Sequence, residues 1–165
     1  MKKIFVISYQ RTGTTSTGKF LKQNGFNVAG WTVCINNKWV HSCYDGDFEK
    51  VFNSDAFKKN NVFEDAPWFW PNFYKFLYHR FPNSIFVHLE RNPSDWFRSM
   101  VTHSEGKTLG NLERHLDIYQ RYGDYLWLKE QKIKVDHCTL FDKSSHYIEQ
   151  YCVENKKRKN FFEEK

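Results

Sequence analysis

The sequence predicts an α/β fold in which a parallel sheet is covered by helices. Three observations lead there. Short apolar runs alternate with helical patterns along the chain, the first run passes through a Thr/Gly-rich turn directly into a helix, and a later run passes through Asn92-Pro93 into another. Strand, helix, strand, helix is the order of a parallel sheet with helical crossovers, and ligands of such sheets bind beyond the carboxyl ends of the strands.

Residues 3–8 form the first apolar run. Residues 14–22 follow as a helix closed by Asn24 and Gly25, the residue types that end helices. Residues 30–47 fit no clean period, and their Trp31, Trp39 and Tyr44 indicate an irregular aromatic excursion or a hairpin. A second strand is expected over 61–64, before Asp65-Ala66-Pro67, and a helix over 71–81 with Phe73, Phe76, Leu77 and Phe81 on one stripe. Residues 84–89 are a third strand. In the helix after it, Asn92 suits the cap, Pro93 the first helical position and Asp95 the positive helix end; it should reach about residue 103. Residues 109–129 read as a longer amphipathic helix, 132–139 as a strand and 143–154 as a closing helix, with a basic tail Lys156-Lys157-Arg158-Lys159 beyond.

The chain has 165 residues, a length that fits one domain, residues 1–165, and one core. With 40% hydrophobic and 27% charged residues it is globular rather than disordered. Its 19% aromatic share exceeds what packing requires and points to rings lining a pocket. A formal charge of +6 favours an anionic partner: a phosphorylated cofactor, a nucleic acid or an acidic glycan. Cys34, Cys43, Cys138 and Cys152 show neither a CxxC pair nor zinc-type His spacing and read as free thiols. No run is long enough to span a bilayer and no leader is evident, so the expected location is the cytoplasm.

The turn Ser8-Tyr9-Gln10-Arg11-Thr12-Gly13-Thr14-Thr15 stands between the first strand and the first helix. Its amides and the helix N-terminus therefore attract an anion such as phosphate. Residues 13–19, GTTSTGK, imitate the opening of GxxxxGK[ST], but Phe20 stands where a Ser or Thr should hold magnesium and Lys19 falls deep in the helix. The register over 8–15 begins directly after the strand. There Tyr9 to Thr15 resembles the sulfate-binding loop of the cytosolic and Golgi sulfotransferases, of the form [FY]x[KR][ST]G[ST][ST]. The resemblance implies a three-layer parallel sheet with helices on both faces, P-loop nucleoside triphosphate hydrolase-like. It also implies 3′-phosphoadenylyl sulfate as donor, adenosine 3′,5′-bisphosphate as product, no metal, and Arg11, Thr12, Gly13, Thr14 and Thr15 cradling the 5′-phosphosulfate. Read without the resemblance, the cluster is a Thr-rich helix cap beside an exposed Arg.

Residues 89–99, LERNPSDWFRS, resemble the family's 3′-phosphate segment, RxPxxxxxS, with Arg91 and Ser99 at the binding positions. The planar fork of an Arg is suited to phosphate. Between the two segments, Val62-Phe63-Glu64-Asp65-Ala66-Pro67 resembles the stretch where glycan-modifying members carry a catalytic Glu, FExxP; a bacterial-type branch prefers DxP. Glu64 fits the first and Asp65 the second. Side chains alternate on a strand, so only one faces the cleft, and Glu64 is the favoured base with Asp65 in reserve. Trp68, Phe69, Trp70 and Phe73 offer an apolar or sugar-stacking wall, or core. The family's C-terminal glycine loop has no match, and Lys156, Lys157 and Arg158 are the basic residues available in its place, unless they form a solvated tail.

The expected reaction is transfer of a sulfuryl group to a hydroxyl or amine of a small-molecule or glycan acceptor. The alternative is a nucleotide or small-molecule kinase with a degenerate phosphate loop, against which stands the lack of a Walker B acid and of a Ser or Thr after Lys19. Dispersed rather than striped basic residues argue against nucleic acid as partner. The sequence leaves the acceptor and the oligomeric state open.

Overall fold

The computed structural model describes residues 2–103, 141 and 143–165. They belong to two compact units, Met1–Glu90 and Arg91–Lys165.

The first unit is built on a four-stranded sheet of order β2-β3-β1-β4, with β1 Ile4–Val6, β2 Val28–Ala29, β3 Val62–Phe63 and β4 Ile85–Val87. Every pairing is parallel, with Ile4 beside Val62 and Ile85, Phe5 beside Phe63 and Phe86, and Val28 beside Val62. Alternation along β1 divides the core. Ile4 and Val6, with Val62, pack with Leu21, Phe26, Val28, Val87 and Leu89. Leu21 comes from α1 (Thr14–Gln23), so this helix covers that face. Phe5 takes the opposite face, where its ring lies 5.2 Å from Phe63, 5.5 Å from Trp68 and 5.7 Å from Phe86. The second layer there comes from α3 (Trp39–Tyr44) and α5 (Asp55–Lys59), whose Trp39 and Phe57 rings are 5.8 Å from Trp68 and 4.5 Å from Phe63. Each buried ring contributes about 1.5–3 kcal/mol through burial. The high aromatic content is therefore spent largely on this core. In particular Trp68, Phe69 and Phe73 are buried, which makes them core, the second of the two readings open for them; Trp70 is half-buried.

The stretch read as an irregular excursion is helical: α2 (Trp31–Asn36) and α3 are joined through Lys38 in the left-handed region, and α4 (Phe48–Phe52) and α5 follow. The helix expected over 71–81 is α6 (Phe73–Arg80).

In the second unit, α7 (Pro93–Thr102) starts as expected, with the Asn92 side chain accepting from the amides of Ser94 and Asp95. The closing helix, α8 (Ser144–Glu163), runs nine residues past its expected end. The basic run is thus helical rather than a solvated tail: Arg158 is fully buried with Nη1 donating to Asn155 Oδ1, and Lys157 donates to buried Glu154 at 2.6 Å. The helix expected over 109–129, the strand over 132–139 and Cys138 lie outside the described residues. Cys34, Cys43 and Cys152 are free thiols. Burial pushes Cys34 and Cys43 up to about 12, so neither supplies a thiolate near neutrality. No helix among the described residues is long and apolar enough to cross a membrane.

Candidate anion-binding and acid–base site

The loop after β1 turns through two left-handed residues, Arg11 at φ 65° and Gly13 at φ 102°. The Thr12 hydroxyl donates to the Tyr9 carbonyl at 2.6 Å and closes the turn. Gly13 is the N-cap of α1, and among the described residues no side chain caps this helix. The first amides of a helix have no acceptor within it. Those of Thr14 and Thr15 are available to an anion, with the helix dipole adding to the attraction. The contrast with α7 is direct, because there the Asn92 side chain already occupies two first-turn amides. Arg11 is exposed, Thr12 half-buried and Thr14 buried. Ser8 anchors the base of the loop by donating to the Val87 carbonyl and accepting from the Leu89 amide at 2.6 Å.

The two neighbouring carboxylates occupy different environments. Glu64 continues the alternation of β3 toward α1 and is only 6% exposed. Two glycines make room for it. A Cβ on Gly30 would fall 2.5 Å from Glu64 Oε1, and one on Gly18 would fall 3.2 Å from its Cγ. Its Oε2 has no hydrogen-bond partner among the described residues. Burial, reinforced by the neighbouring Asp65 charge, pushes the Glu64 carboxyl up to about 7, with a hydrogen bond from Thr14 opposing the shift. Asp65 has left the strand and stands in the left-handed region at φ 72°. Its Oδ1 accepts from its neighbour's amide, Ala66 N, at 2.7 Å and from Gln10 Nε2 at 3.3 Å. Half-buried Asp65 is therefore tied to the loop that carries Arg11, while Glu64 is enclosed behind the first turns of α1.

The raised Glu64 value has a consequence for stability. The folded chain keeps this proton where the unfolded chain, at the ordinary 4.5, has released it. The resulting stabilisation is complete below about pH 4.5 and is lost as pH rises to about 7. At about 1.4 kcal/mol per pKa unit the loss amounts to a few kcal/mol. Denaturant unfolding of Glu64→Gln across this range should give a flatter profile than the wild type; equal slopes would assign the pH dependence to other groups.

In the second unit, Arg91 is exposed just before α7, and Ser99 is half-buried on that helix. Tyr151 from α8 holds the backbone of Arg91: the Arg91 amide donates to the Tyr151 hydroxyl at 2.9 Å and the hydroxyl donates to the Arg91 carbonyl at 3.2 Å. Sequence reasoning missed both Tyr151 and the enclosure of Glu64. Gly18, a glycine inside a helix, was the available signal for the latter. Among the described residues, no group of three or more His, Cys, Asp or Glu side chains is placed to hold a metal ion.

A parallel α/β sheet whose first strand leads through a left-handed turn into an open helix N-terminus defines a class of protein suited to holding anions. The family model described as Sulfotransferase domain matches residues 3–157, and the chain belongs to that family. Comparison with curated proteins gives no match.

Proposed function

We propose that the chain is an enzyme that moves a sulfuryl group from 3′-phosphoadenylyl sulfate to a hydroxyl or amine of a small-molecule or glycan acceptor, on a three-layer, P-loop-type fold and without a metal. The observation that carries this reading is the uncapped N-terminus of α1 behind Gly13, beside the exposed Arg11. These groups fit the phosphosulfate end of the donor: one cation, left-handed turn geometry, and first-turn amides at Thr14 and Thr15. The donor supplies an activated sulfuryl group. As its sulfur–oxygen bond to phosphate breaks and a new one to the acceptor forms, Arg11 and the loop amides stabilise the charge growing on the phosphate oxygen. Arg91 and Ser99 hold the 3′-phosphate.

The acceptor's proton goes to Asp65. This reverses the order of preference taken from sequence. A base must reach the proton that it removes, and half-buried Asp65 is the more open of the two carboxylates. Both are hydrogen-bonded to the loop, Asp65 through Gln10 and Glu64 through Thr14, but Glu64 is only 6% exposed and packed against Gly18 and Gly30.

Binding of adenosine 3′,5′-bisphosphate and of adenosine 5′-monophosphate, each measured by calorimetry in EDTA, tests the class. The bisphosphate should bind more tightly, and Arg91→Ala should weaken it about ten- to hundredfold while leaving the monophosphate nearly unchanged. No preference for the bisphosphate, or binding that requires magnesium, would favour a kinase.

A further inference from the structure

We propose that Tyr151 is a positioning residue for the 3′-phosphate site, acting through the backbone of Arg91. The inference rests on the assignment of the 3′-phosphate to Arg91 made above. An exposed Arg binds an anion well only if its backbone is fixed, since otherwise the ordering cost falls on binding. Arg91 lies outside α7, in the connecting stretch that precedes it.

Tyr151 supplies the restraint. Its single hydroxyl spends its proton on the Arg91 carbonyl and a lone pair on the Arg91 amide. The hydroxyl is itself immobilised. Tyr151 is 2% exposed, and its ring stacks on fully buried Trp96 with centroids 4.3 Å apart and planes 18° apart. One turn earlier on α8, Tyr147 stacks on Phe97 at 5.8 Å. Trp96 and Phe97 belong to the helix that carries Ser99, so these two stacked pairs join α8 to the helix that bears the second residue assigned to the phosphate.

The test compares the two adenosine ligands on the wild type, Tyr151→Phe, Arg91→Ala and the double variant, by calorimetry on the full chain. Tyr151→Phe keeps the stacked ring and removes only the hydroxyl. It should weaken the bisphosphate about three- to tenfold, the size expected of a lost neutral hydrogen bond, leave the monophosphate unchanged, and cause no further loss when Arg91 is already Ala. Equal losses for both ligands, or the same loss in the Arg91→Ala background, would reduce Tyr151 to a structural role. If Arg91→Ala alone leaves bisphosphate affinity intact, the assignment of the 3′-phosphate fails and this role fails with it, a result distinct from the preceding ones. A wild-type measurement stands independently of how the variant folds: the Arg91 amide should exchange its hydrogen at least tenfold more slowly than an open loop amide, and exchange at the open rate would overturn the proposal.

Discussion

Replacing Asp65 by Asn should lower turnover by about a hundred- to ten-thousandfold, the range a general base contributes, with bisphosphate affinity nearly unchanged. Asn keeps the size of the side chain and, through its amide oxygen, the bond from the Ala66 amide; what it loses is the capacity to accept a proton from the acceptor. Glu64→Gln should cost far less turnover, because the enclosed Glu64 carboxyl holds its own proton up to about pH 7. Steady-state rates with saturating donor decide the matter. The reverse ranking would restore Glu64 as the base, and unchanged rates in both variants would place the base elsewhere.

The parts of the fold legible in the sequence were those with local punctuation. Gly13 and the threonines mark the start of α1, Asn24 and Gly25 its end, and Asn92-Pro93 the start of α7, each within about a residue of the observed bounds. The short helices α2 to α5 were not legible, because five or six residues do not display a helical period. Of these, α3 to α5 are held by tertiary packing of Trp39, Phe52 and Phe57 rather than by propensity. Strand β2 has two residues and therefore no alternation to read. At the other end, the sequence reading stopped α8 at a charge run, although Lys and Arg are good helix formers and Arg158 is buried. The site was legible as motifs and not as geometry: that Gly18 and Gly30 open a space for Glu64 is a relation between residues far apart in the chain.

Arg11→Ala should reduce turnover about a hundredfold or more, since on the proposed reading it removes a cation that stabilises charge growing only in the transition state. Arg11→Lys should retain more activity, as a point charge without the planar fork. The backbone provides a second, separable reading. Arg11 sits at φ 65°, a region that costs a residue with a Cβ roughly 1 kcal/mol and that glycine adopts freely. Arg11→Gly should therefore raise the unfolding free energy by up to about 1 kcal/mol while losing as much turnover as the alanine variant. Strained residues persist where function requires the side chain, so stability and turnover should move in opposite directions at this one position. Denaturant unfolding and single-turnover rates of the Ala, Lys and Gly variants test this. Normal turnover in Arg11→Gly would show that the turn geometry alone holds the anion and that the cation acts from another residue; lower stability in that variant would show that the guanidinium is part of the fold rather than of the chemistry.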